Sequence, residues 1–362
     1  MKVIFVRSPY KITVNEPDQL LIKVEMVVYA ADGSPIYPTI VLEKQIPDTV
    51  NRECDFNISP YIKDYIENIA PTSVTPTEED ENMFAMVDYT SYYKDALDGE
   101  WISVVSETLT AVNGYTNYSG GYNQSITTDV LCLINTDINL KRGDNNQYFN
   151  VLVDFDNTAG YDLVYRYRNL SNATIENVTV LTSSDDSRVY MLKVPYRTAT
   201  SGLENGNSVQ VRLNTSGDVP AQPFVYFLNE DVCLYTPIKC TFINKFGGWQ
   251  YLTFFKASST SYDTKAKEYN LLSDAVDYNP LRGQKKNFNF EQTQKVKVNT
   301  GWVDENYIEL LADLTNSETV LLDNIPATLT SRQIQKKTSL KDKMINYEME
   351  FEYAFNLIND VN

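Results

Sequence analysis

Apolar and polar residues alternate with a period of two through much of this chain, the spacing that sends successive side chains to opposite faces of a strand. The first such runs are VIFV (3–6), KITVN (11–15), LLIKVEMVVYA (20–30), YPTIVLEKQI (37–46), FAMVDY (84–89), WISVVSETLTAV (101–112) and TTDVLCLI (127–134). ADGSPIYP (31–38) joins two of them with an Asp-Gly pair and two prolines, a connection by composition. NISPYIKDYIENI (57–69) breaks the pattern: Tyr61, Ile62, Tyr65, Ile66 and Ile69 recur at helical spacing. Ser59 is the expected N-cap and Pro60 the first helical residue, so a short amphipathic helix is predicted near 59–69. The acidic run PTSVTPTEEDEN (71–82) reads as a solvated loop and NTDINLKRGDNNQ (135–147) as a polar linker.

Beyond the linker, FNVLVDF, DLVYRYR, NVTVL, RVYMLKV, SVQVRL and FVYFL recur with turn signals such as Asp156-Asn157 and Asn205-Gly206 between them. That rhythm predicts an immunoglobulin-like antiparallel sandwich over 148–230. The last third differs. IKCTFINKFGGWQYLTFFK (238–256) predicts a hairpin whose turn, at Gly247-Gly248, needs positive φ. VDENYIELLADLTNS (303–317) places Tyr307, Ile308, Leu311 and Leu314 on one helical face, and ETVLLD follows as a short strand. INYEMEFEYAFNLI (345–358) alternates again, with Glu348, Glu350 and Glu352 on one face. The expected fold class is therefore mainly β with a few helices. Three domains are expected: 1–135, β-rich with the short helix; 148–230, the sandwich; and 231–362, an α+β domain.

Composition narrows the chemistry. Tyr is abundant (26) and the formal net charge is −17, which disfavours nucleic-acid binding by the surface as a whole. Charge is uneven: residues 1–100 are acidic, whereas 239–298 carry ten Lys/Arg against five Asp/Glu. Histidine is absent, so Ser-His-Asp and Cys-His nucleophile systems cannot be built within the chain. Cys54, Cys132, Cys233 and Cys240 show no metal-ligand spacing and no disulfide framework, which fits synthesis in a reducing cytoplasm. VIFV is far too short for a signal-peptide core, and no apolar run is long enough to span a bilayer.

Candidate sites are few. Carboxylates two apart on a strand lie roughly 6.6–7 Å apart on one face, a separation that invites comparison with inverting glycosidases. Three parallel acids on one strand cannot flank a scissile bond, however, so Glu348, Glu350 and Glu352 are read as a solvated face. QKVKVN (294–299) is its natural neighbour: Lys295 and Lys297 would face the acids if the two strands were adjacent. DFDNTAG (154–160) echoes a calcium loop but misplaces the glycine and has Tyr165 where a bidentate Glu belongs, so no metal is expected. GYTNYSGGYNQS (114–125), with Tyr115, Tyr118 and Tyr122, has the mix of an adaptable binding loop, for a sugar or a neighbouring subunit. Lys265, Lys267, Arg282, Lys285, Lys286, Lys295 and Lys297 match no nucleic-acid module and are the candidate interface, positive patch to negative patch between copies.

VRSPY (6–10), SPYIKDYI (59–66), FINKFGGWQYLTFFK (242–256), ELLADLTNSETVLL (309–322) and INYEMEFEYAFNLINDV (345–361) resemble virion proteins of tailed phages that infect Bacteroidetes, the crAss-like phages among them. The resemblance covers both ends and most of the last third. It implies a tail, tail-hub or neck-ring component of the virion, made in the bacterial host cytoplasm. Such a protein is structural, not an enzyme, and forms a homo-oligomeric ring that joins itself to other tail or neck proteins. It needs no cofactor, no catalytic residue, no sequence-specific nucleic-acid contact and no membrane span. The alternatives are a receptor- or carbohydrate-binding fibre module and a carboxylate-dependent polysaccharide depolymerase.

Overall fold

The structure is a computed structural model that describes residues 1–30, 33–36, 38–46, 53–67, 82–134, 137–140, 148–154, 162–169, 171, 173–182, 189–195, 208–214, 219–220, 225–229, 235–271, 280–305, 307–335 and 344–357. The fold is mainly β, rich in antiparallel sheets of the sandwich kind, with few helices. The chain divides into two compact units, Met1–Glu230 with Ile243–Tyr251, and Asp231–Phe242 with Leu252–Asn362.

In the first unit a six-stranded sheet runs in the order Ile40–Gln45, Leu21–Tyr29, Phe84–Lys94, Ile102–Val112, Lys2–Phe5, Ser125–Thr127. It is antiparallel except where Lys2–Phe5 lies parallel to Ile102–Val112. Period-two patterning explains its buried face: Ile22, Val24, Met26 and Val28 are buried and the residues between them are not. They pack with Ile12 and Val14 of Lys11–Val14, with Phe56 of its partner Cys54–Asn57, and with Ile58, Ile62 and Ile66. Each such side chain contributes roughly 1.5–3 kcal/mol on leaving water.

The helix expected at 59–69 is only Ser59–Lys63, and its N-cap is Ile58, with no side-chain cap bond. Ser59 is occupied elsewhere: its hydroxyl accepts from the Tyr10 N–H and donates to the Ser8 carbonyl. TTDVLCLI also splits, into Ser125–Thr127 and Val130–Leu133, because the Thr128 hydroxyl bonds both the N–H and the carbonyl of Val130 and turns the chain.

Val130–Leu133, Tyr148–Asp154 and Val189–Pro195 form a three-stranded antiparallel sheet with Tyr148–Asp154 central. Another sheet has the order Asp137–Leu140, Val225–Asn229, Ser208–Asn214, Asp162–Arg168, Thr174–Thr182, with Val219–Pro220 paired to Ser208–Asn214. Asp137–Leu140 falls inside the stretch expected as a linker. It is a strand because it finds a parallel partner, Asp137 opposite Tyr226, far along the chain.

Ile238–Ile243 and Trp249–Phe254 form the predicted hairpin, and Gly247 has the positive φ expected of it, +84°. Asn244 organises the turn. Its amide nitrogen donates to the Leu133 carbonyl (3.0 Å) and to Gln250 Oε1 (2.9 Å), while its oxygen accepts the Phe246 and Gly248 N–H groups. The Trp249 N–H meets Asn150 Oδ1 at 3.0 Å, and the Tyr115 N–H meets the Lys245 carbonyl at 2.8 Å. Burial at this depth favours such pairing.

A seven-stranded sheet has the order Trp249–Phe254, Ile238–Ile243, Val320–Leu322, Ile325–Leu329, Met344–Tyr353, Lys285–Asp304, Ser259–Asn270. Helix Tyr307–Asn316 buries Tyr307, Leu310, Leu311 and Leu314. Of the face read from the sequence, Tyr307, Leu311 and Leu314 are buried and Ile308 is half-buried, while Leu310 joins the core from beside it. These join Val296, Val298, Ile345, Tyr347, Met349 and Phe351 in one core. Phe351 stands edge-on to Phe254, ring centroids 6.1 Å apart, a favourable aromatic geometry.

Candidate functional site: a projecting hairpin and its acidic ladder

Met344–Tyr353 and Lys285–Asp304 are adjacent antiparallel strands, as the alternation of Lys and Glu suggests. Lys295 lies opposite Glu352, and Lys297 opposite Glu350. Lys297 Nζ reaches Glu348 at 2.6 Å, and Lys295 Nζ sits between Glu352 (3.8 Å) and Asp263 (3.7 Å). The hydrogen bond to Glu348, helped by that carboxylate's charge, raises the Lys297 pKa. On the other face of the same strand Ile345, Tyr347, Met349 and Phe351 are buried. Glu348 and Glu352 are thus lysine-bonded on the wetter side of a core strand, with Glu350 half-exposed between them. Such exposed pairs set register and contribute little stability.

Beyond Lys295 the ladder continues away from the core as a two-stranded ribbon. All twelve residues of Ser259–Asn270 are exposed, as are Lys285–Phe288 opposite their far end. The register steps between Lys265 and Lys267: one residue there faces two, Asn289 and Phe290, and Asn289 takes φ +53°. This is a β-bulge carried by the Lys285–Asp304 strand. Past it, Tyr269 and Phe288 share a face in edge-on contact at 5.4 Å, and Lys285 pairs with Glu268 at 3.0 Å.

The seven basic residues singled out from the sequence therefore all lie on one hairpin, in two populations. Lys295 and Lys297, at its base, are bonded to the acidic ladder. Lys265, Lys267, Lys285 and Lys286 stand on the ribbon, and Arg282 lies in the turn Pro280–Arg282. Lys265 and Lys267 make no ion pair among the described residues. Sequence reasoning missed the apolar half of this surface. Tyr262 is 61% exposed, Leu281 93%, and Tyr269, Phe288 and Phe290 are also exposed. The signal was present in NFNF (287–290), whose alternating phenylalanines imply a face that wants covering.

The tyrosine loop is resolved into different roles. Arg7 stacks on Tyr115 and Lys11 on Tyr122, centroid distances 5.1 and 4.6 Å. Tyr118, in the turn Tyr118–Gly120, is fully exposed. Asp154 of DFDNTAG receives the Met1 amine at 2.6 Å, and residues 155–160 lie outside the described residues. Elsewhere in the first unit, burial alone would raise the Glu107 pKa. Hydrogen bonds from Lys2 and Tyr89 outweigh it and hold the carboxyl below its ordinary value. A cavity of about 440 Å³ in the second unit is lined by Leu311, Ile334, Asn346, Tyr347 and Met349, with Glu348 the one carboxylate among the described lining residues. No group of three metal-ligating side chains gathers among the described residues, and no described helix is long and apolar enough to cross a membrane.

Cys132 and Cys240 are buried and Cys54 is half-buried, all three as free thiols. Burial pushes the Cys132 thiol up to about 12 and also raises Cys240. A thiol held protonated is a poor nucleophile. In native protein at neutral pH, Cys132 and Cys240 are expected to resist iodoacetamide and to label fully in denaturant. Mass spectrometry of the tryptic peptides reads the difference.

No family description matches the sequence, and neither does any curated protein. Among solved structures, the CBD12 region of CALX1.2 shares 10% identity over 59% of this chain and 76% of that one, with a TM-score of 0.17. The calcium binding domain CBD12 of CALX1.1 gives 10%, 61%, 78% and 0.17. Similarity of this order carries no argument about fold or function.

Proposed function

We propose that this protein is a structural component of a phage virion, a tail, tail-hub or neck-ring subunit that assembles with copies of itself and joins neighbouring tail proteins without catalysing a reaction. The observation that carries the reading is the Ser259–Asn270/Lys285–Asp304 hairpin. Two strands with side chains exposed on both faces are marginal in water on their own. This one nonetheless displays Tyr262, Tyr269, Phe288 and Phe290 among lysines. Exposed aromatic residues on such a ribbon make a docking arm, the equipment of an assembly protein. The quoted resemblance to virion proteins at both ends of the chain supports the same reading, as does the use of the Glu ladder in ion pairs at the foot of the arm.

The test is electron microscopy of the purified chain and of intact particles, the latter decorated with an antibody against the chain. Closed rings, and label at the tail or neck, are the expected result. A chain that stays monomeric and is absent from particles would overturn the proposal.

A further inference from the structure

The arm ends in a free sheet edge. Ser259–Asn270 pairs with Lys285–Asp304 on one side and with no described strand on the other. It contains neither Gly nor Pro, and because the bulge belongs to its partner, its own two-residue repeat is unbroken. Twelve residues give roughly 40 Å of edge, a long template for an added strand. Lysines on an edge can be guards against such pairing. Here Tyr262 and Tyr269 flank Lys265 and Lys267, and a guarded edge has no reason to present aromatics.

The other free edges differ in fitness as a partner. Thr174–Thr182 carries two bulges, at Val180 and Ile175, which spoil its repeat. Trp249–Phe254 and Val130–Leu133 are buried throughout, Ser125–Thr127 has three residues, Asp137–Leu140, Lys11–Val14 and Cys54–Asn57 have four each, and Val189–Pro195 ends in proline. Ile40–Gln45 is terminal in the six-stranded sheet of the first unit and pairs with Leu21–Tyr29 in unbroken register from Gln45 to Ile40. Its outward face presents Val41, Glu43 and Gln45, all exposed, and Glu43 makes no ion pair among the described residues.

We infer that the Ser259–Asn270 edge of one copy adds antiparallel to the Ile40–Gln45 edge of the next, with Lys267 opposite Glu43. That register sets Tyr269 opposite Val41 and Lys265 opposite Gln45 on the same face. It joins an aromatic to a β-branched residue and a lysine to a carboxylate, two pairings that stabilise cross-strand contacts. The contact uses two different surfaces, so it is heterologous and propagates head to tail, into a ring where the rotation closes. It rests on the homo-oligomer reading above and adds the mating segments to it.

The experiment uses the full-length chain. K267E and E43K are each expected to weaken association about tenfold by juxtaposing like charges, read by mass photometry across a concentration series. The double variant, with the charges exchanged, is expected to restore it. In parallel, E43C with K267C should give an intermolecular disulfide on mild oxidation, whereas E43C with S259C, out of register, should not. These positions are exposed, so the variants leave the cores intact. Association indifferent to both swaps, no rescue in the double variant, or equal cross-linking of the two cysteine pairs overturns the inference. Rings that persist unchanged through the swaps remove this contact and leave the virion reading standing. A chain that never associates, alone or in particles, removes both.

Discussion

Alanine at Phe351 is expected to destabilise the second unit by about 3–5 kcal/mol, the usual cost of emptying a buried phenylalanine site. Its ring is fully buried, stands edge-on to Phe254 and belongs to the core shared by helix Tyr307–Asn316. One residue before it, Glu350→Gln changes a half-exposed side chain on the opposite face and should alter stability by less than about 1 kcal/mol. Urea unfolding of the two variants measures the contrast. A Glu350→Gln cost comparable with that of Phe351→Ala would mean that the acidic ladder does more than hold register.

Gly248→Ala is the second large effect. A methyl group there would run into the Leu133 carbonyl oxygen and side chain, and backbone cannot swing aside as a lysine tip can. Gly114→Ala is its counterpart, because the new carbon would lie 2.5 Å from both the Lys245 carbonyl oxygen and the Phe5 ring. Overpacking of this kind costs about 1–3 kcal/mol, and more where backbone is the obstacle. Both variants should fall at the upper end, with a lowered thermal midpoint. Gly121→Ala isolates the other kind of strain: nothing lies within 4 Å of the added carbon, so its cost comes from the backbone alone, held at φ +78° where L side chains rarely go. A Gly248→Ala protein as stable as the parent would show that the turn does not hold Leu133 this closely.

What could be read from the sequence followed from burial. A strand with one face in the core must alternate, so residues 345–353 and 294–299 were legible, and the lysine–glutamate match between them gave their adjacency. Helix Tyr307–Asn316 was legible for the same reason. Ser259–Asn270 was not, because a strand exposed on both faces has no apolar period to display. Asp137–Leu140 was hidden by its parallel partner far along the chain, Val225–Asn229. Ser59 misled because a serine before a proline looks like a cap, whereas its hydroxyl bridges Tyr10 and Ser8. Of the candidate site, the cluster of basic residues was visible. Dividing it into lysines that brace the acidic strand and lysines that face solvent required the register.

The way Asn244, Gly248 and Trp249 interlock with Gly114, Leu133 and Asn150 has a consequence for how the protein is made. The first unit is discontinuous, and its last piece, Ile243–Tyr251, is translated after all the rest of it. A nascent chain halted at residue 230 would hold the Leu133 carbonyl and Asn150 without the groups that complete them. The ribosome must therefore deliver the opening strand of the second unit before the first can close. Cutting the gene between the two, at the boundary that looks natural in a linear map, would release a fragment missing its final stitch.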